Sequence, residues 1–242
     1  MTQKTFLITG ATSGIGFALA QHCIDAGHRV IITGRDQVKL GRVSKELGVT
    51  AYFVDNANLE QIRQLGESLV AEGVMLDGVV LNAGIFYPDA FVETTPDAFD
   101  ATMAINTKGP FFTLQTLLPS LKNPASVVFI SSIAVTKGFE GCAVYAASKA
   151  AFEAVVRVAN MELAGRGIRI NSVRPGVTAT EIQAKAGMTK EQEALLFDSL
   201  RETPLGRELM AEDHLEAIMY LLGDGSNALR NAVIEVEGGY LL

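Results

Sequence analysis

Tyr145 and Lys149 stand four residues apart in Tyr145-Ala146-Ala147-Ser148-Lys149. In a helix that spacing puts a phenol and an ammonium on one face, one turn apart. Such a pair can do proton chemistry. A free tyrosine titrates near pH 10, poorly matched to neutral solution, and a nearby cation favours the phenolate. Depressing that pKa by about 2–3 units takes roughly 3–4 kcal/mol of differential interaction, so Lys149 is expected to pull Tyr145 toward neutrality. Ser132 lies thirteen residues upstream, after the run Val127-Val128-Phe129-Ile130-Ser131. A hydroxyl there can donate to a substrate oxygen and stabilise developing alkoxide charge. Asn106 follows an apolar helical pattern and opens Asn106-Thr107-Lys108-Gly109.

A second constellation could hold the partner for that chemistry. Thr9-Gly10-Ala11-Thr12-Ser13-Gly14-Ile15-Gly16 follows an apolar run and opens a helical pattern. Glycines in a strand-to-helix turn allow positive φ and bring backbone N–H groups to a pyrophosphate seated on the helix N-terminus. The spacing is Gly-x-x-x-Gly-x-Gly rather than Gly-x-Gly-x-x-Gly, but the flanking strand and helix meet the context that dinucleotide binding requires. The next apolar run ends Thr33-Gly34-Arg35-Asp36. A carboxylate about 20 residues past the glycines would bind the ribose 2′-OH of NAD, whereas an arginine accommodates the 2′-phosphate of NADP. Gly34 occupies the place of that carboxylate and Arg35 follows, so NADP(H) is favoured over NAD(H). Asp36 counts against this, as a solvated partner for Arg35.

These residues need a scaffold, and the chain alternates short β-rich runs with longer helical patterns. Strands are predicted at Thr5–Thr9, Arg29–Thr33, Ala51–Val54, Gly78–Asn82, Ser126–Ile130, Ile168–Val173 and Val233–Val236. Most are continuously apolar, as in strands buried on both faces. Helices are predicted over Ile15–Ala26, Leu59–Ala71, Asp97–Met103 and Val144–Leu163, with Phe111–Leu118 a further apolar segment. Thr95-Pro96 reads as an N-cap and N1 pair, and Thr189-Lys190-Glu191-Gln192 has capping-box spacing. The alternation implies an α/β fold, a doubly wound, open, Rossmann-like parallel sheet of about seven strands with helices on both faces. Without a linker or repeat, residues 1–242 read as one domain.

In order and spacing, these motifs resemble the short-chain dehydrogenase/reductases of about 250 residues, along essentially the whole chain. By that resemblance Gly10, Thr12, Ser13, Gly14, Ile15 and Gly16 form the cofactor loop, and Asp55 contacts the adenine. Leu81-Asn82-Ala83-Gly84 matches the family's Asn-Asn-Ala-Gly stretch, with Leu replacing its first Asn. Asn106, Ser132, Tyr145 and Lys149 match the catalytic tetrad; Lys149 also holds the nicotinamide ribose and Asn106 a water in the proton path. Arg174-Pro175-Gly176-Val177-Thr178-Ala179-Thr180 matches the segment that closes over the nicotinamide. The resemblance implies interconversion of a carbonyl and a secondary alcohol by hydride transfer, with Tyr145 as acid or base. It also implies a homo-oligomer, a tetramer or dimer paired through Phe111–Leu118 and Val144–Leu163. Two stretches depart from the family pattern, Glu208–Asp213 and Gly225–Asn231, and are expected on the subunit-contact side.

Composition narrows the remaining classes. Lys and Arg total 20 against 27 Asp and Glu, a net charge of −7, which argues against a non-specific nucleic-acid partner. Two cysteines and three scattered histidines set no disulfide framework and no metal spacing. No apolar run reaches membrane-spanning length, and the expectation is a cytoplasmic protein acting on a small carbonyl or alcohol. Substrate contacts are expected around Phe86-Tyr87-Pro88, Val135–Val144, with Phe139 and Cys142, and Ile182–Arg201, within a lid spanning about 182–207. Two alternatives stay open: an NAD(H)-dependent sugar or hydroxysteroid dehydrogenase, and a nucleotide-sensing protein that kept the fold without turnover.

Overall fold

The computed structural model describes residues 2–242. Seven strands, β1 (Thr5–Ile8), β2 (Arg29–Gly34), β3 (Thr50–Phe53), β4 (Leu76–Leu81), β5 (Leu121–Ile130), β6 (Ile168–Pro175) and β7 (Val233–Val236), form one sheet in the order β3-β2-β1-β4-β5-β6-β7. Every pairing is parallel. The principal helices are α1 (Gly14–Asp25), α2 (Gln37–Leu47), α3 (Leu59–Ala71), α4 (Pro96–Met103), α5 (Gly109–Leu117), α6 (Ala143–Glu162), α7 (Ile182–Lys185), α8 (Lys190–Ser199) and α9 (Leu215–Leu222).

Successive strand residues serve opposite faces, and that alternation builds two cores. Leu7, Val127 and Phe129 pack with Ile62 and Leu69 of α3, Leu114 and Leu117 of α5 and Phe152 and Val156 of α6. Phe6, Ile8, Val128 and Ile130 pack with Leu19 and Cys23 of α1, Leu40 and Val43 of α2 and Ile218 and Leu221 of α9. Because both faces are covered, the strands read as continuous apolar runs, as expected from the sequence. Strand order reverses between β1 and β4, and the crevice beyond their carboxyl ends is where open α/β sheets bind ligands.

Several boundaries differ from the sequence reading. β5 begins at Leu121 and shifts register against β4 between Leu76 and Gly78, a start hidden by Pro124. α2 was not anticipated: only Val38, Leu40, Val43 and Leu47 are apolar in it, and Gly41 interrupts the pattern. Its caps are well marked. Asp36 Oδ1 accepts from Lys39 N at 2.9 Å, and Gly48 takes the left-handed conformation at φ +67°. Asp36 is therefore a helix cap rather than the partner of Arg35, which makes no ion pair among the described residues.

Candidate active site

One cleft of about 710 Å³ opens at the carboxyl edge of the sheet, lined by Arg35 and Asp55 as well as by Ser132 and Tyr145. Its floor begins with the glycine turn between β1 and α1. Gly10 has φ +64°, and a Cβ there would lie 2.8 Å from Ala83 Cα, so this crossing admits only glycine. Asn82 ties the turn to the end of β4: its Nδ2 donates to Thr9 O at 2.9 Å and Gly10 O at 3.1 Å, while Thr9 Oγ1 accepts from the backbone N–H of Asn82 and Ala83. Gly16 does not line the cleft. It is buried, with room taken by Asn82 Nδ2 and Gly10 O, and it shapes the turn from behind.

Arg35 and Asp36 lie along the cleft past β2. Asp55, beyond β3, also lines it, and its Oδ1 accepts from Ala57 N at 2.9 Å. Sequence reasoning missed two cations here. Lys39 Nζ pairs with Glu181, and Lys185 Nζ reaches Ser13 Oγ at 3.1 Å and Glu181 at 3.1 Å. The long-range contacts of Lys39 with Glu181 and of Lys185 with Ser13 join the start of the expected lid to α2 and the glycine turn, and no local spacing announces them.

At the other end, α6 carries Tyr145 and Lys149. Lys149 is only 4% exposed, its Nζ donating to Ile130 O at 2.8 Å and lying 5.8 Å from the centre of the Tyr145 ring. Gly84 presses against the same ammonium, since a Cβ there would sit 3.2 Å from Lys149 Nζ and 3.3 Å from Asn106 Oδ1. Phe86 packs edge-on against Tyr145, the ring centres 5.0 Å apart. Ser132, just past β5, accepts from Ala134 N at 3.1 Å and so has its hydroxyl held at the strand end.

Asn106 is completely buried in a π-helical turn, Ala104–Lys108. Its Oδ1 accepts from Ile85 N at 2.8 Å, and its Nδ2 donates to Ile85 O at 2.9 Å and Ser148 Oγ at 3.1 Å. The amide thus clamps the segment after β4 to α6, and its side-chain hydrogen-bonding capacity goes to protein partners.

The electrostatics correct one expectation. Tyr145 is pushed up to about 12, because burial penalises the phenolate more than hydrogen bonding from Ser132 favours it. Burial also brings the Lys149 ammonium down to about 8, while the hydrogen bond to Ile130 O and the Glu153 carboxylate, one turn on, support its charge. Within the protein alone the pair is a neutral phenol beside a weakened cation.

The segment after β6 forms the last wall. Pro175, Gly176, Val177, Thr178 and Thr180 line the cleft, followed by Gln183, Met188 and Leu196 of the expected lid. The departure at Glu208–Asp213, expected on the subunit-contact side, also serves the cleft. Leu209 pairs with Thr178 in a parallel bridge and Ala179 N donates to Leu209 O at 2.8 Å, so this stretch backs the cleft wall.

The residues fit a dinucleotide. A crossing at Gly10 too tight for a Cβ, the uncapped N-terminus of α1 facing the cleft, and a cleft running from Arg35 to Tyr145 provide a cradle of the right shape and charge. A family model described as enoyl-(acyl carrier protein) reductase matches residues 10–241. The 3-oxoacyl-[acyl-carrier-protein] reductase of Rickettsia conorii is 32% identical over 247 residues, covering 100% of this chain and 98% of its own length. The L-xylulose reductase of Bos taurus is 30% identical, covering 97% and 95%. A short-chain type dehydrogenase/reductase structure from Mycobacterium ulcerans superposes with a TM-score of 0.88 at 28% identity, covering 99% of this chain and 90% of its own. The chain belongs to the short-chain dehydrogenase/reductase family of NAD(P)-dependent oxidoreductases acting on hydroxyl and carbonyl substrates.

Proposed function

We infer that the protein is an NADP(H)-dependent oxidoreductase interconverting a carbonyl and a secondary alcohol, with Tyr145 as acid or base. The observation that carries this reading is a single cleft with Arg35 and the glycine turn at one end and Ser132, Tyr145 and Lys149 at the other. NADP(H) is favoured because Gly34 leaves no carboxylate to repel a phosphate, Arg35 has no ion-pair partner among the described residues, and Asp36 is engaged as a helix cap.

When bound, the nicotinamide supplies or accepts the hydride at the substrate carbon. The chain handles the oxygen. Ser132 Oγ donates to the substrate oxygen and stabilises charge developing there. Tyr145, neutral at pH 7 with its pKa near 12, is ready to give its Oη proton to that oxygen, the reduction direction. Lys149, Asn106 and Gly84 hold the phenol's surroundings, and Asn82 with Thr9 fixes the glycine turn. Gln183, Thr178 and Thr180 fold the cleft wall inward, and the segment over about 182–207 acts as a lid excluding water. The groups meeting the rest of the substrate include Phe86, Tyr87, Phe139, Cys142 and Met188, which suits a largely apolar ketone. Exposed Phe111 on α5 and Val158 and Met161 on α6 support assembly as a homo-oligomer through these helices.

The test follows nicotinamide absorbance with NADPH and then NADH over ketones graded in size. Turnover with NADPH at least about tenfold better than with NADH is expected, a preference of about 1.4 kcal/mol. Tyr145→Phe should lose 10²–10⁴-fold in rate, roughly the value of general acid catalysis, while still binding nucleotide. Arg35→Ala should weaken NADPH far more than NADH. Preference for NADH, or a Tyr145→Phe rate within a few-fold of the parent, would overturn the reading.

A further inference from the structure

His214 is fully buried at the end of a 3₁₀ turn, Ala211–His214, that leads into α9 and packs against α1. Nothing in the mechanism uses it, and in the sequence it stands in no motif, among Glu212, Asp213 and Glu216. Its Nε2 lies 2.9 Å from Thr178 Oγ1, whereas its Nδ1 has no hydrogen-bond partner. Thr178 Oγ1 is also 2.9 Å from Gly176 O.

These distances decide where the hydrogens lie. Gly176 O can only accept, so the single Thr178 hydroxyl proton goes to it. Thr178 Oγ1 must then accept from the imidazole, which requires the neutral Nε2–H tautomer. Nδ1 is left as a bare lone pair, which accounts for its lack of a partner; the opposite tautomer would leave both a buried Nδ1–H and Gly176 O without that bond. The result is a one-directional chain, His214 Nε2–H to Thr178 Oγ1–H to Gly176 O. It spans the outer side of the segment whose inner side lines the cleft. Gln183 Nε2, donating to Thr178 O at 2.7 Å, holds the same residue from the lid side.

We propose that His214 is a positioning residue for nicotinamide binding, fixing Gly176–Thr178 from behind through its Nε2–H. This rests on the dinucleotide reading of the cleft. His214 touches neither substrate nor nucleotide, so it acts on binding rather than on proton transfer.

Two variants of similar bulk separate the hydrogen bond from packing. His214→Gln keeps a donor that can stand in for Nε2–H, and His214→Phe removes it. Fluorescence titration of NADPH should give a Kd raised about five- to tenfold in His214→Phe, the value of one hydrogen bond lost with its acceptor left buried, and restored to within about twofold in His214→Gln. KM for the nucleotide should follow Kd while kcat stays within about twofold. In the parent protein, ¹⁵N-detected NMR of the imidazole should show a protonated Nε2 and a pyridine-like Nδ1 at pH 7. Thr178→Val supplies the same comparison from the other partner if His214→Phe does not fold: it should raise Kd similarly. An Nδ1–H tautomer would overturn the proposal. So would parent-like Kd in His214→Phe or Thr178→Val, or a His214→Gln Kd as weak as that of His214→Phe. Failure of the parent to bind either nicotinamide nucleotide would instead refute the reading of the cleft on which this rests.

Discussion

Lys149 is the residue whose environment most constrains the chemistry. Burial brings it down to about 8, against the support of the Glu153 carboxylate and the hydrogen bond to Ile130 O. Lys149 therefore loses its proton within the working range, and kcat/KM for carbonyl reduction is expected to fall above about pH 8. Lys149→Arg keeps a cation at any accessible pH, so its profile should lose that alkaline limb even if its rate is lower; an unchanged limb would assign the titration elsewhere. His214 makes a second pH prediction. Its pKa is about 4 in the fold against 6.5 for a free imidazole, because burial opposes a charge that the neighbouring Asp213 only partly supports. Between those values the unfolded chain binds more protons than the native one, so stability falls as pH drops from 6.5 to 4, by about 3 kcal/mol in the limit. Urea titrations across that range should show the slope in the parent and its loss in His214→Gln.

At the scale of elements, the legible parts were those with a local physical signature. Continuous apolar runs such as Phe6-Leu7-Ile8 and Val127–Ile130 announce strands, because a sheet covered on both faces needs no alternation. Four-residue spacing announced the shared face of Tyr145 and Lys149. α2 stayed hidden because its polar surface and central Gly41 mask a short apolar stripe; Asp36 and Gly48 were the signals to find it. Lys39, Lys185 and His214 were illegible for another reason: their partners lie 142, 172 and 36 residues away. Arg169 belongs with them. It is buried, and its guanidinium donates to Leu221 O, to Gly223 O at 2.6 Å and to Ser226 Oγ at 2.7 Å, closing the C-terminal end of α9. Arg169→Met should cost about 1–3 kcal/mol by unbonding those acceptors, seen as a lower urea midpoint at unchanged m-value.

For the whole molecule, the parallel sheet gathers every strand's carboxyl end on one edge, which is why residues from Gly10 to Leu196 meet in one cleft. The proposed homo-oligomer concerns a different surface. Val158 and Met161 are 54% and 79% exposed on α6, and Phe111 is exposed on α5, the side chains the proposed association would cover. Val158→Glu should leave circular dichroism unchanged while light scattering reports a smaller particle; an unchanged particle mass would place the contact elsewhere.

Glu181 meets Lys39 and Lys185 in open water, and Lys185 also reaches Ser13. Such a fastening weakens with dissolved electrolyte, since screening shrinks from about 30 Å at 0.01 M to about 3 Å at 1 M. If the proposed lid opens there, background ions would set how readily the mouth gapes, and traffic of nucleotide in and out should quicken in brine without any alteration of the proton-handling groups beneath.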